Sequence, residues 1–123
     1  MEAAKKRILA RKRNKAHVRK KISGTPEILR VSVFRSSKHI YGQAIDDKSA
    51  KTICSVSTLE SDVKEKIEGH SGNKATAKIV GKVLGEKLSA KGYDKIVFDR
   101  NGYLYHGRIK SFADGIREAG IKF

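Results

Sequence analysis

The chain of 123 residues has no tryptophan and only one cysteine and one proline. A lone cysteine, Cys54, excludes an intramolecular disulfide and leaves no second thiol for a zinc site. Because its surroundings, TICSVST, are typical of a strand, we expect Cys54 to be a small buried apolar residue rather than a reactive thiol. The four histidines are scattered, and no phosphate-loop or dinucleotide-binding glycine motif occurs. We therefore expect no metal site and no cofactor.

Long apolar runs are also missing from the sequence. None approaches the roughly 20 residues that a bilayer-spanning helix requires, so no membrane association is expected. The basic N-terminus is not followed by the apolar stretch of a secretory signal, and Glu2 together with few serines fits a transit peptide poorly. We expect a cytoplasmic protein that is monomeric when free.

Acidic residues are almost absent from the first 22 positions. Ten of the 28 lysines and arginines lie there, but only one of the 13 acidic residues, Glu2, in a chain of net charge +15. Cations held this close repel one another, and nucleic acid relieves the repulsion because phosphate contacts release counterions. We predict that residues 1–22 are an RNA-binding arm, frayed or disordered alone and helical over about 30 Å on RNA. The predicted RNA contacts of the arm are Lys5, Lys6, Arg7, Arg11, Lys12, Arg13, Lys15, His17, Arg19, Lys20 and Lys21.

A boundary follows the arm at Ser23-Gly24-Thr25-Pro26, which contains the only proline. Residues 23–123 are then long enough to form a single globular domain with its own core. The division predicted is an arm at 1–22 and one RNA-binding domain at 23–123.

Apolar periodicity predicts the elements of this domain. Alternation over residues 29–34 indicates a strand, the β character of residues 39–45 indicates a second, and the Thr/Val/Ser-rich stretch 52–58 indicates a third. Three consecutive strands with short loops favour an antiparallel meander. Residues 59–71 form a polar connection with at most one short helical turn. Apolar residues at helical spacing then follow Asn73, a plausible cap, and continue to Gly92, a plausible stop.

The last two predicted elements are a short strand at 95–98 and a helix from Ile109 to about Gly120. Because a helix precedes it, this strand should join the sheet parallel to its neighbour. The predicted fold is α/β: a small mixed sheet of three antiparallel strands plus one strand joined after a crossover helix. Two helices lie on one face, and a basic N-terminal helical or disordered arm precedes the sheet.

The first hairpin turn concentrates polar side chains in RSSKHIY, next to Phe34. Cations and hydroxyls suit phosphates, and planar rings suit unstacked bases. Phe34 is out of phase with the inward-facing Val31 and Val33, so we expect it on the open face of the sheet. The alternative is an ordinary solvated turn with Tyr41 packed at the sheet edge. The predicted RNA contacts are Arg35, Ser36, Ser37, Lys38, His39 and Tyr41.

A second candidate is the loop DRNGYLYHGR between the last strand and the last helix. Asn101-Gly102 favours a left-handed tight turn, and the loop ends at a helix N-terminus, which favours anions. The structural alternative is that Asp99 pairs with Arg100 and that the tyrosines pack on the sheet. The predicted RNA contacts are Arg100, Tyr103, Tyr105, His106 and Arg108.

Enzymatic hypotheses have less support. Asp46, Asp47 and Asp99 lie near predicted strand ends, where a metal-dependent nuclease could hold carboxylates, but adjacent aspartates in a turn are usually solvated. Nothing indicates which histidine would activate Cys54 as a nucleophile. We expect a non-catalytic protein.

Three stretches, RVSVFRSSKHIYGQAIDD, SVST and FDRNGYLYHGRIKSFADGIREAGIKF, resemble the family of bacterial large-subunit ribosomal protein eighteen. The resemblance covers Arg30 to Phe123, and the basic arm agrees in character. One departure is Asn101, since the family commonly has two glycines in that turn. Asn tolerates positive φ better than most residues, so we expect the turn to persist.

This resemblance implies a small α/β domain that attaches 5S rRNA to 23S rRNA in the central protuberance, beside ribosomal protein five. It also implies that the arm and the hairpin turn contact 5S rRNA and that Tyr105 to Arg108 face RNA. The main alternative is a general nucleic-acid binder of chromosome or RNA-chaperone type, which the arm alone does not exclude.

Overall fold

A computed structural model describes residues 9–10, 12–13, 28–67 and 73–123. Leu9, Ala10, Lys12 and Arg13 are helical, and both cations are exposed. The boundary at Ser23 to Pro26 lies outside the described residues, so the division into arm and domain stays a prediction. So do the remaining predicted arm contacts: Lys5, Lys6, Arg7, Arg11, Lys15, His17, Arg19, Lys20 and Lys21.

Four strands form one mixed sheet. They are β1 (Leu29–Arg35), β2 (Ile40–Asp46), β3 (Lys51–Ser57) and β4 (Ile96–Asp99), in the spatial order β3-β2-β1-β4. β1 pairs antiparallel with β2 and parallel with β4, and β2 pairs antiparallel with β3. The predicted meander and the parallel fourth strand are confirmed.

Three helices connect and cover the sheet: α1 (Ser61–Lys64), α2 (Lys74–Ala90) and α3 (Arg108–Glu118). α1 is the short helical turn expected in the polar connection. The Asn73 side chain accepts the Thr76 N–H at 2.8 Å and caps α2 as predicted. Gly92, just past α2, has a φ of 91°, which explains why the helix stops there.

The hydrophobic core lies between the sheet and the two long helices. Leu29, Val31 and Val33 are fully buried because alternate residues of β1 point to one face. Gly42 of β2 lies against Leu84 of α2 and Phe112 of α3, since a Cβ atom there would press on both side chains. Both long helices therefore cover the same face of the sheet, as predicted.

The two long helices cross with their backbones in contact. A Cβ atom on Gly81 of α2 would overlap the carbonyl oxygen of Phe112, and one on Gly115 of α3 would overlap that of Lys78. Only glycine permits this approach. The middle of α3 is thereby held against α2.

Cys54 in β3 is half-buried and packs against the core. Burial raises the pKa of its thiol, although the positive charges of Lys91 and Lys87 oppose that shift. The thiol therefore behaves mainly as the packed apolar group expected from the sequence, with more exposure than predicted. No helix in the described parts of the chain has the length and apolar character to cross a membrane.

Candidate nucleic-acid interface

Parallel pairing of β1 and β4 brings the two predicted RNA motifs to one edge of the sheet. The hairpin turn leaves the carboxyl end of β1, and the loop leaves the carboxyl end of β4. Arg108 Nη1 donates to the Ser36 carbonyl at 2.8 Å, and Tyr103 Oη donates to the Arg35 carbonyl at 3.3 Å. The two motifs therefore form one continuous surface, which we call the cationic edge (residues 35–39 and 100–108).

Internal hydrogen bonds hold the hairpin turn in place. The Ser36 N–H donates to the His39 carbonyl at 2.9 Å, and the His39 N–H donates to Ser36 Oγ at 3.1 Å. His39 Nδ1 lies 2.9 Å from Thr58 Oγ1, which ties the turn to the end of β3. Ser37 and Lys38 stay exposed at the tip, so the turn presents them from a fixed backbone.

The loop after β4 begins with the predicted left-handed turn. Asn101 has a φ of 54° and Gly102 a φ of 78°. The Asn101 N–H donates to Asp99 Oδ1 at 2.8 Å, and Arg100 Nη1 donates to the Tyr103 carbonyl at 2.6 Å. Arg100 therefore stabilises the loop internally, in addition to any contact it makes with RNA.

Tyr103 does not supply the exposed aromatic plane that the sequence suggested. Its side chain is only 9% exposed, and the Arg35 guanidinium carbon lies 4.9 Å from the centre of its ring. The ring packs inward because its hydroxyl reaches the backbone of Arg35. Tyr103 instead orients Arg35 at the cationic edge.

Tyr105 packs away from the hairpin turn, against Phe98 and Arg117. Its ring meets Phe98 edge-on with 6.1 Å between centroids, and its hydroxyl accepts from Arg117 Nη1 at 3.1 Å. The side chain is still 41% exposed, so part of the ring faces solvent. This arrangement matches the alternative in which a loop tyrosine packs on the sheet.

Three cationic side chains and one histidine line a hollow at the cationic edge. Arg35, Lys74, His106 and Arg108 line an open cavity of about 350 Å³. Partial burial, together with the charge of Arg35, lowers the pKa of Arg108. A bound anion would oppose this shift, because a nearby negative charge favours the charged form of Arg108.

Lys74 was missed by the sequence analysis. It is the first residue of α2 and lies beside Gly107, at the start of the neighbouring helix. The sequence did place Lys74 directly after the cap Asn73, at the start of a helix. In the fold, the starts of α2 and α3 both lie at the cationic edge. The contact itself depends on how α2 and α3 pack.

Asp99 pairs with Arg30 and not with Arg100, the partner named in the structural alternative. The Asp99 side chain is fully buried and accepts from Arg30 Nη1 at 2.7 Å. Arg30 Nε and Nη2 each donate to Asp47 at 3.0 Å, and hydrogen bonding to Asp47 is the main reason that the pKa of Arg30 is raised. Arg30 on β1 reaches Asp99 because β4 is the adjacent strand, whereas Arg100 turns toward its own loop.

These contacts also disfavour the nuclease hypothesis. The carboxylates of Asp47 and Asp99 converge on the Arg30 guanidinium, and Asp46 accepts from the Lys48 N–H and the Ser49 hydroxyl. Residues 28–67 and 73–123, with the four described residues of the arm, contain no cluster of three or more potential metal ligands. The carboxylates serve the fold instead.

The remaining predicted aromatic contact, Tyr41, lies on the open face of the sheet. It is half-buried beside Phe34, with 5.9 Å between ring centroids, and 6.4 Å from the ring of His39. Phe34 is 45% exposed, as its phase predicted. The open face thus carries aromatic rings next to the cationic edge.

A small mixed α/β domain with basic side chains gathered at one edge is typical of the nucleic-acid-binding class of proteins. Over residues 5–123 the sequence matches the profile of the family described as ribosomal L18 of archaea, bacteria, mitochondria and chloroplasts, and the chain belongs to this family. That assignment confirms the resemblance stated from the three sequence stretches.

Curated bacterial relatives agree over nearly their whole length. The chain is 50% identical to a protein of Syntrophotalea carbinolica over all of both chains, and 50% identical to one of Thermomicrobium roseum over 97% of this chain and 96% of the relative. It is 52% identical to one of Shouchella clausii over 92% of each. All three carry the name large ribosomal subunit protein uL18.

Membership of this family makes the chain a ribosomal protein of the large subunit, located in the cytoplasm within the ribosome. The family is one of structural ribosomal proteins and not one of enzymes.

Proposed function

We propose that the chain binds 5S rRNA and helps attach it to 23S rRNA in the central protuberance of the large ribosomal subunit. Ribosomal protein five is the neighbour we expect beside it. The observation that carries this proposal is the cationic edge, where the hairpin turn and the loop after β4 are joined by the hydrogen bond from Arg108 to Ser36.

Preorganisation supports the proposal at the cationic edge. The Arg35 guanidinium lies over the Tyr103 ring, and Arg108 is fixed on the Ser36 carbonyl, so both cations are held before RNA arrives. Ordering long side chains on binding costs free energy, and holding them in advance lowers that cost. Arginine on phosphate forms charge-assisted hydrogen bonds, which are stronger than neutral ones.

Selectivity in this proposal comes from the shape of the domain rather than from charge alone. The hairpin turn and the loop have fixed backbones, so their cations match only an RNA whose phosphates lie at complementary positions. Structured RNA is recognised largely through shape and through a few unstacked bases. The N-terminal arm adds affinity through phosphate contacts that depend little on sequence.

The test uses the full chain with Arg35→Ala and His106→Ala, and Lys51→Ala as a control. Lys51 is exposed at the opposite end of the sheet, and its substitution removes the same charge as that of Arg35. We expect Arg35→Ala to weaken 5S rRNA binding about 10-fold or more, since hydrogen bonds to charged groups contribute ~1.5–3 kcal/mol. His106→Ala should weaken it less, and Lys51→Ala should change it little. Equal affinity of all three variants and the wild type would contradict the role of the cationic edge.

A general nucleic-acid binder is the second candidate, favoured by the ten cations among the first 22 residues. Competition separates the two functions. At near-physiological salt, unlabelled 5S rRNA should displace labelled 5S rRNA much better than an unrelated RNA duplex of equal length does. Equal displacement by both competitors would support the general binder.

A further inference from the structure

We infer that the open face of the sheet holds one unstacked base of the bound RNA, in a hollow beside Phe34 and Tyr41. This inference rests on the proposed function and adds a second kind of contact to it. The hollow has a volume of about 200 Å³. It is lined by Ser32, Val33, Phe34, Tyr41, Gln43 and Ile45, with Asn101 at its border.

Strand register assembles this hollow from two neighbouring strands. Phe34 of β1 is directly opposite Tyr41 of β2, and Ser32 is directly opposite Gln43. Residues two apart on a strand share a face, so the two rings, the hydroxyl and the amide all lie on the open side. The ring centroids are 5.9 Å apart, and the Phe34 side chain is 45% exposed.

The chemistry of the hollow suits a base better than a phosphate. None of its lining residues is charged. An aromatic ring offers a plane on which any base can stack, and stacking is the usual way in which proteins hold single-stranded bases. The Ser32 hydroxyl and the Gln43 amide can each both donate and accept, which matches the mixed donor and acceptor edge of a base.

The surrounding charge favours RNA over a protein segment as the occupant. Arg35 follows Phe34 directly, projects from β1 toward the other side and is exposed at the cationic edge, and exposed Lys38 lies in the turn just beyond. A flipped base carries a phosphate on each side, so the base can enter the neutral hollow while its phosphates meet these cations. At the other end of the open face, Arg30 pairs with Asp47 and Asp99 and offsets one of their two negative charges, which reduces the repulsion of a nearby phosphate.

The first test substitutes Phe34 in the full chain and measures affinity for 5S rRNA. Phe34→Leu removes the plane but keeps an apolar side chain, Phe34→Trp keeps a plane, and Leu59→Ala controls for loss of an exposed apolar group elsewhere. We expect Phe34→Leu to bind roughly 5- to 150-fold more weakly, the range for losing one stacked base. Phe34→Trp and Leu59→Ala should stay near wild type.

The Phe34→Trp variant also reports directly on stacking, because the chain has no other tryptophan. Its fluorescence should be quenched when 5S rRNA binds, whereas a Leu59→Trp control should change little. Wild-type affinity for Phe34→Leu, or equal quenching in the two tryptophan variants, would overturn the inference. If the wild type still prefers 5S rRNA, either of these results contradicts only the stacked base and leaves the proposed function intact. A wild-type chain that does not prefer 5S rRNA would contradict the proposed function itself.

A second measurement needs no substitution and so does not depend on how a variant folds. Ultraviolet irradiation of the wild-type complex with 5S rRNA should crosslink a base to the peptide that contains Phe34 or Tyr41, detected by mass spectrometry. Crosslinks confined to peptides outside residues 32–43 would contradict a stacked base in this hollow.

Discussion

Arg30 joins three parts of the chain that are distant in sequence. It belongs to β1, binds Asp47 in the turn after β2, and binds buried Asp99 at the end of β4. Asp99 also accepts the Asn101 N–H, so this carboxylate connects the ion pair to the turn that begins the loop after β4. Because Arg30 and Asp99 are both buried, removing either side chain leaves the charge of the other without its partner in a poorly solvated place.

Replacing Arg30 with methionine should therefore destabilise the domain strongly. We expect Arg30→Met to lower the free energy of unfolding by about 3–5 kcal/mol, the usual cost of breaking a buried pair from one side. Lys48→Met, at an exposed site in the adjacent turn, is the control and should change it little. Urea denaturation followed by circular dichroism measures both. A loss below about 1 kcal/mol for Arg30→Met would show that solvent reaches Asp99.

Cys54 should make the protein less stable as the pH rises through the alkaline range. Burial raises the pKa of its thiol, so the folded state holds the proton at pH values where the unfolded chain has released it. This contribution is fully present below the unfolded pKa and is lost as pH rises through the folded pKa. As the pH passes about 8.5, the wild type should lose stability faster than Cys54→Ser, although Cys54→Ser is less stable at neutral pH. Parallel stability curves for the two proteins across this range would refute the effect.

Local rules predicted the individual residues that depend only on their neighbours. Asn73 as a cap and Asn101-Gly102 as a left-handed turn both follow from conformations that these side chains favour within a few residues. The pairing of Arg30 with Asp99, 69 residues apart, depends on which strands are adjacent and so was missed. Tyr103 was misjudged for the same reason, since it lies in the loop after β4 and its partner Arg35 lies 68 residues earlier, at the end of β1.

Among the elements, the crossing of α2 and α3 sets the position of the loop after β4. Gly81 and Gly115 let the two backbones touch, and α3 begins directly after that loop. A wider separation of the helices would move Arg108 relative to Ser36 and open the cationic edge.

A single methyl group at this crossing should be costly. Gly115→Ala gains roughly 1 kcal/mol of helix propensity, but its Cβ atom meets the Lys78 backbone, which cannot move aside without shifting α2. We expect a net loss of about 2 kcal/mol or more, as in overpacked cores. Lys110→Ala on the exposed side of α3 is the control and should change stability by less than about 0.5 kcal/mol. A Gly115→Ala protein as stable as the wild type would contradict the close crossing.

The sequence predicted the strands and helices well and the contacts between them less well. A period of two, β-forming composition and a short apolar run located the four strands, and a period of 3.6 residues located both long helices. The crossover helix implied the parallel fourth strand. That parallel pairing places the ends of β1 and β4 at one edge, so the contact between the hairpin turn and the loop could have been predicted from the sequence. The position of Lys74 at this edge could not, because it depends on the glycine contacts between the two long helices.

For the whole molecule, the proposed function assigns different tasks to the folded domain and to the cations of the N-terminal arm. The hydrophobic core found among the described residues runs from Leu29 to Ile121, so residues 23–123 should fold without the arm. In the proposed function the arm supplies affinity through phosphates, and the domain supplies selectivity. Salt dependence separates these two contributions.

Deleting residues 1–22 should flatten the dependence of 5S rRNA affinity on salt. If the arm engages about six to nine phosphates, the slope of log affinity against log salt should fall by several units, at roughly 0.7–0.9 per phosphate as for DNA. Titrations at several salt concentrations, with circular dichroism to verify the fold of the shortened chain, measure this slope. An unchanged slope would mean that the arm does not contact phosphates.

The most direct measurement is the selectivity of the folded domain without its arm. The ratio of affinities for 5S rRNA and for an unrelated RNA duplex should be determined for residues 23–123 and for the full chain at near-physiological salt. We expect the shortened chain to bind both RNAs more weakly while it keeps its preference for 5S rRNA. A ratio near one after removal of the arm would contradict it, because the cationic edge would then carry no recognition.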